Sequence, residues 1–211
     1  MIRVLQIKLL PLGPLQTNCY LAACDQTKLA SVVDPAWDAH AIQKAADDEG
    51  WQIASILLTH CHFDHVGGLA ELKTGTEAPI YVHADAVPML KKAAAAAGLF
   101  GLQMKTPPAP DQLINEGDTI QVGNVAFDVL YTPGHAPGHV CFYSAQYQVV
   151  FDGDVLFQQG IGRTDFEGGD FDTLIRSIRE KLLTMPDGTR VFSGHGPMTT
   201  IGDERRTNPW L

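Results

Sequence analysis

The sequence predicts an α/β sandwich, two β-sheets packed face to face with helices outside them, in one domain over residues 1–211. Two successive runs of strand-like segments are each followed by a helical pattern, and no linker or shift in composition separates them. Hydrophobic residues make up 45% of the chain against 18% charged, and the length can bury a core without disulfide staples.

The first strand is expected over about 2–9. Its apolar stretch is interrupted by Gln6 and Lys8 and broken by Pro11, Gly13 and Pro14, which suits an edge strand better than a signal peptide. Strands follow at 18–24 and 29–33, the last ending Val32-Val33-Asp34-Pro35. Over 37–49, Ala39, Ile42, Ala45 and Ala46 recur on one helical face, and Gly50 supplies the stop. Residues 53–58, IASILL, form an apolar run suited to a buried strand. A helix over 66–73, a strand at 80–82 and a helix over 84–97 follow, the last carrying an alanine run of high helix propensity. Residues 98–110, GLFGLQMKTPPAP, form the longest irregular stretch, so the region 89–110 reads either as a helix and lid over a site or as a plain connection. The second half has strands near 119–122, 125–131, 139–144 and 147–151, a helix over 171–183, a strand at 190–193 and a short tail helix ending by Pro209.

The chain carries 24 acidic and 15 basic side chains, a formal charge of −9, which argues against a non-specific nucleic-acid binder. No window approaches the ~20 apolar residues of a membrane span. Cys19, Cys24, Cys61 and Cys141 form no CxxC pair and no zinc-finger spacing, so reduced thiols in a cytoplasmic protein are expected.

Three of the eight histidines fall within Thr59-His60-Cys61-His62-Phe63-Asp64-His65, directly after an apolar strand. In an extended segment His60 and His62 point to one side and can converge on one metal, while Cys61 points away. Where the chain turns towards the next helix, Asp64 and His65 can address a second metal. Further ligands belong at other strand-to-loop junctions. Thr132-Pro133-Gly134-His135, Phe151-Asp152-Gly153-Asp154 and Ser193-Gly194-His195-Gly196 each follow a strand, and the glycines flanking His195 allow close backbone approach. His139 competes with His135, and is read as a structural residue at a strand start. Asp152 competes with Asp154, or orients a ligand from behind. His40 and His83 lack partners and read as surface or packing residues. The set amounts to five histidines and two aspartates, enough for two metals roughly 3.5–4 Å apart with a shared carboxylate. Imidazole and carboxylate donors suit zinc, with iron or manganese as alternatives.

The cluster His60-Cys61-His62-Phe63-Asp64-His65, with His135, Asp154 and His195, resembles the metallo-β-lactamase superfamily, in its hydroxyacylglutathione hydrolase (glyoxalase II) branch. The resemblance runs from Asn18-Cys19-Tyr20 to the end of the chain. It implies a four-layer αβ/βα sandwich with a dinuclear site at one edge. His60, His62 and His135 would hold the first metal, Asp64, His65 and His195 the second, and Asp154 would bridge them. The implied reaction is hydrolysis of a thioester such as S-lactoylglutathione to a 2-hydroxy acid and a thiol, by attack of hydroxide held between the metals. Asp64 would orient the hydroxide, and Asp64 and Asp154 would be the catalytic carboxylates.

Classical glyoxalase II enzymes are similar as far as Gly162-Arg163, where the basic residue contacts glutathione. They carry tyrosines shortly after that point and beyond the last histidine. Here Thr164-Asp165-Phe166 and Gly196-Pro197-Met198 stand there instead, and a helical C-terminal extension is missing. A shorter bacterial type resembles this chain closely, in GIGRTDF and in the HGP…ERRTNP tail. Arg163 is the candidate substrate contact; the competing reading pairs it with Asp165 or Asp170. Lys91, Lys92 and Lys105 are further cations for an acidic thioester. The alternative enzyme is a persulfide dioxygenase with one iron on the equivalents of His60, His135 and Asp154. A non-catalytic metal module, a β-lactamase and a nuclease are less favoured, and the expected partner is a small thioester.

Overall fold

In a computed structural model residues 4–211 are described, and residues 1–3 of the expected first strand lie outside them. The first sheet joins β1 (Leu5–Leu12), β2 (Thr17–Cys24), β3 (Leu29–Val33), β4 (Gln52–Leu57), β5 (Ile80–His83) and β6 (Gln112–Ile114) in sequence order. Its first three strands are antiparallel, and β3 to β6 are parallel. Parallel neighbours need crossovers, supplied by α1 (Ala39–Asp47), α2 (Leu69–Thr76) and α3 (Val87–Leu99). The second sheet contains β7 (Thr119–Val122), β8 (Val125–Tyr131), β9 (Val140–Ser144) and β10 (Val149–Gly153). A small hairpin, β11 (Leu156–Phe157) and β12 (Gly160–Ile161), and then α4 (Phe171–Ser177) follow. Next, β13 (Arg190–Ser193) pairs parallel to β10, β14 (Thr199–Thr200) closes that edge, and α5 (Ile201–Thr207) ends the fold.

The side-chain period of two divides the apolar residues among three cores, which makes the four layers. Tyr20, Leu57, Phe127, Phe142 and Phe151 fill the space between the sheets. Leu21, Ile56 and Leu58 meet Ile42, Leu69 and Leu90 of α1, α2 and α3 on one outer face. Val150 and Val191 meet Leu174, Ile178 and Ile201 on the other. The run at 53–58 lacks alternation because its strand is covered on both faces. Each fully buried leucine or phenylalanine contributes roughly 1.5–3 kcal/mol. The predicted face of α1 is the buried one, Ala39, Ile42, Ala45 and Ala46.

Several boundaries differ from expectation. β1 continues through Pro11 to Leu12, which an edge strand tolerates because the missing N–H can face outwards. The second helix begins at Leu69, not at residue 66, because residues 63–66 form turns. Neighbouring helical side chains diverge by about 100°, so a helix would have sent Asp64 and His65 to different faces. β6, β11, β12 and β14 are too short to show periodicity. Helix α4 runs on as a π-helical turn over Ile178–Leu182. Among the described residues no helix is long and apolar enough to cross a membrane, and all four cysteines are buried free thiols.

Candidate metal centre

Five chain segments leave the C-terminal ends of β3, β4, β8, β10 and β13 and supply the site. Open parallel sheets place ligands at such ends. Three groups of three side chains gather their donor atoms within 4.8 Å: His60, His62 and His135; Asp64, His65 and His195; and Asp34, His60 and His65. In the first, His62 Nδ1 lies 3.1 Å from His60 Nε2 and 2.9 Å from His135 Nε2. In the second, His195 Nε2 lies 3.2 Å from Asp64 Oδ2, and His65 Nε2 lies 3.6 Å from the same oxygen. Asp154 sits between them, with Oδ1 3.3 Å from His65 Nε2 and Oδ2 3.6 Å from both His135 and His195 Nε2. Nitrogens about 2.0–2.1 Å from a tetrahedral zinc are about 3.3–3.4 Å apart; the first trio's nitrogen pairs stand slightly closer, at 2.9 and 3.1 Å, and the second trio's donor pairs bracket that spacing at 3.2 and 3.6 Å.

The tautomers can be worked out from the outer partners. His135 Nδ1 faces the Arg163 carbonyl at 2.7 Å, and a carbonyl only accepts, so Nε2 is a bare lone pair. Thr59 Oγ1 donates to Asp34 Oδ2 at 2.6 Å, so it accepts from His60 Nδ1 at 3.1 Å and again leaves Nε2 bare. A neutral His62 has at most one proton at Nδ1 for these two lone pairs. His65 Nδ1 donates to Asp34 Oδ2 at 2.9 Å, and its buried Nε2 has no hydrogen-bond partner, like Asp154 Oδ1 opposite. Gly194 completes the cradle, since a Cβ there would stand 2.3 Å from Asp154 Oδ1 and 2.5 Å from His65 Cε1. Lone pairs converging without donors, beside orphaned buried polar atoms, fit divalent cations.

The charges agree. Burial and the neighbouring His65 and His62 hold His60 well below the ordinary histidine range, and burial with His135 brings His62 down to about 4. Burial opposes ionisation of Asp64, but His65 and the hydrogen bond from His195 lower it to about 2. Asp154 is held far below the usual carboxylate range against its burial, chiefly by His65. Burial disfavours the His65 cation, yet Asp154 and Asp64 outweigh it and raise its pKa well above the histidine range. Without a metal, a proton on His65 therefore occupies the place of a cation.

All seven residues singled out from the sequence meet here. Cys61 turns into the helix-side core, as the extended geometry required. His139 is fully buried, accepts from the Asp154 backbone N–H at 3.2 Å through Nε2, and so donates from Nδ1 to Thr132 Oγ1 at 3.1 Å. Its role is to place Asp154. Asp152 does not orient a ligand; its Oδ2 accepts from Leu156 N at 2.9 Å and shapes the turn after β10. The residue behind the ligands is Asp34, which the sequence reading passed over. The signal was present, a carboxylate ending an apolar strand as Asp154 does. Thr17, also passed over, donates to Asp64 Oδ2 at 2.9 Å. Gly196 has φ 74° and open space around its Cβ position, so it serves a turn and not a close approach.

The outer candidates divide. Arg163 forms a two-pronged pair with Asp165, both bonds 2.7 Å, and its guanidinium lies 3.8 Å above the Phe166 ring. Asp170 instead caps α4 through Thr173 N. Lys92 reaches Glu167 at 3.5 Å, and Lys105 pairs with Glu71 at 3.2 Å. In the 89–110 region Phe100 packs its ring on Phe63 of the metal-site segment, with centroids 5.1 Å apart, and Leu102 and Met104 pack against the same core cluster. Gln103, Met104 and Lys105 line a separate open cavity of about 550 Å³ beside Trp37 and His40. His83 stacks on Tyr131 at 4.6 Å.

The sequence and the fold have counterparts among known proteins. A family model of the metallo-β-lactamase superfamily matches residues 12–195. The chain is 41% identical over 204 residues to the probable metallo-hydrolase YqgX of Bacillus subtilis, covering 96% of this chain and 95% of that one. It is 39% identical over 209 residues to the hydroxyacylglutathione hydrolase GloC of Haemophilus influenzae, covering 98% of each. Among solved structures it resembles BLEG-1, described as a B3 metallo-β-lactamase, with TM-score 0.92 and 42% identity over 98% of this chain and 99% of that one. It also resembles a di-iron-bound form of TTHA1623, with TM-score 0.90 and 41% identity over 97% and 100%. By sequence along nearly its whole length, and by the sandwich that gathers its histidines and aspartates at the strand ends, the chain belongs to the metallo-β-lactamase superfamily.

Proposed function

We propose that the protein hydrolyses thioesters with two divalent metals, zinc in the first instance, at the ligands His60, His62 and His135 on one side and Asp64, His65 and His195 on the other. Asp154, whose carboxylate lies between the two trios, would serve both. The observation that carries this reading is the position of Asp154 between two complete ligand trios, with its Oδ1 and His65 Nε2 both unpartnered. The same donors serve iron, and a similar chain carries two irons; manganese suits them too.

When bound, such a metal pair activates water towards hydroxide near neutral pH and polarises a carbonyl. Asp64 stays anionic, and with one carboxylate oxygen held by Thr17 it can orient a water through the other. Asp34, Thr59 and the Arg163 carbonyl keep His65, His60 and His135 in the tautomers that turn Nε2 inward. The reaction balances as thioester plus water to carboxylic acid plus thiol: a C–O bond forms and the C–S bond breaks. A thiolate leaves with little need of a proton donor. The substrate is a small molecule, and S-lactoylglutathione is the first to try, given the likeness to GloC.

The test is to purify the protein without added metal, measure zinc, iron and manganese per chain, and run three assays in parallel. These are S-lactoylglutathione hydrolysis, oxygen uptake with glutathione persulfide, and turnover of a chromogenic β-lactam. Thioester hydrolysis without oxygen uptake supports the reading. Oxygen uptake with one iron per chain, or β-lactam turnover without thioester hydrolysis, overturns it.

A further inference from the structure

Beside the metal ligands lies an aromatic wall with its own chemistry. Phe166 is 40% exposed, and its ring stands edge-on to His62 with centroids 5.8 Å apart. Phe63, the next residue, packs on Phe100, which is 60% exposed. A thioester whose thiol portion lies on the His62 side of the ligands would meet Phe166. The cation expected to take a glutathione carboxylate, Arg163, is already engaged. Asp165 occupies its Nε and Nη2 edge, and the guanidinium carbon lies 3.8 Å over the Phe166 ring centroid.

An exposed ion pair adds little stability in itself. The exchange still disfavours an incoming anion. A substrate carboxylate would replace Asp165 with an equivalent partner, and Asp165 competes intramolecularly, at an effective concentration on the order of millimolar or more. Lys92 is likewise turned to Glu167. The part of Phe166 left exposed, beyond the face that the guanidinium covers, offers apolar contact that displaces no charged partner.

We infer that Phe166, braced by the Arg163–Asp165 pair, is a specificity-determining residue that selects thioesters of apolar thiols over those of glutathione. The inference rests on the thioester reading for the bond that is broken, but not for the wall itself.

The experiment compares S-lactoylglutathione with the S-benzyl thioester of lactate, which shares the acyl group and differs only in the thiol. Wild-type protein is expected to show the higher kcat/KM for the S-benzyl substrate. Phe166→Ala should raise KM for that substrate about tenfold with kcat changed less than about twofold. Asp165→Asn, which frees Arg163, should lower KM for S-lactoylglutathione severalfold. Calorimetry with benzyl methyl sulfide and S-methylglutathione, neither of which can be hydrolysed, reads binding apart from catalysis. A wild-type preference for the glutathione thioester, or an S-benzyl KM unmoved by Phe166→Ala, overturns the inference. If neither thioester is cleaved but Phe166→Ala abolishes benzyl methyl sulfide binding, the thioester reading falls and the apolar wall stands.

Discussion

His65 Nδ1 donates to Asp34 Oδ2 at 2.9 Å, and this one bond settles which nitrogen of His65 faces the metal centre. Asp34 lies 31 residues earlier in the chain, at the end of β3, and is 2% exposed. The same carboxylate accepts from Thr59 N at 2.8 Å and from Thr59 Oγ1, so one buried side chain ties the end of β3 to the ligand loop after β4.

Asp34→Ala should therefore act on both stability and metal binding. Three buried donors lose their acceptor, a cost of about 3 kcal/mol or more by urea unfolding. His65 loses its fixed tautomer, and metal affinity should fall about 10–100-fold in competition with a chromogenic chelator. Unchanged affinity in a variant that stays folded would contradict the positioning role.

Metal uptake should expel a proton. His65 holds one at neutral pH in the metal-free protein, because Asp154 and Asp64 overcome the effect of its burial, whereas His62 at about 4 is already neutral. Affinity should rise with pH while His65 remains protonated in the free protein. Calorimetry in buffers of different ionisation enthalpy should give close to one proton released on filling the Asp64, His65 and His195 trio; no buffer dependence would contradict it.

The metal-free protein should lose stability in mild acid. Burial holds His60, His62, His135 and His139 below their ordinary value. The unfolded chain then takes up protons at about pH 6.5 that the fold refuses, so stability present above that pH is lost as pH falls towards about 4 for His62. His65 has the opposite sign: its raised value stabilises the fold below about 6.5, and that contribution is lost as pH rises through the folded value. Four groups outweigh one, so Tm in the presence of chelator should drop between pH 6.5 and 4. A flat profile would contradict it.

Gly194→Ala should remove metal with little change in the fold. The new methyl would stand 2.3 Å from Asp154 Oδ1 and 2.5 Å from His65 Cε1, so both side chains must move. Metal per chain after dialysis should fall below that of the wild type while the far-ultraviolet circular dichroism is kept. Full metal retention would show that the cradle can widen.

Much of this was open to a reading of the sequence. The face of α1 followed from Ala39, Ile42, Ala45 and Ala46, because burial of one helical face leaves a period of 3.6. His60, His62, Asp64 and His65 announced a site because so many ligand-type side chains after one buried strand have few other uses, and His135, Asp154 and His195 followed from their places at strand ends. Short strands such as β6 and β14 were not legible, since two or three residues hold no period. Asp34 and Asp152 both follow apolar strands, and nothing local tells which of them turns towards the histidines.

By itself the sequence determined the two-sheet sandwich and the residues that meet in its site, because hydrophobic periodicity and donor chemistry are written locally. The tertiary structure alone decided how those residues are held. It selected Asp34 over Asp152 as the support of His65, put His139 behind Asp154, and closed Arg163 onto Asp165. These outcomes depend on which strand ends lie side by side. Strand order and register set that over separations such as the 175 residues between Asn18 and Ser193, beyond the reach of any local pattern.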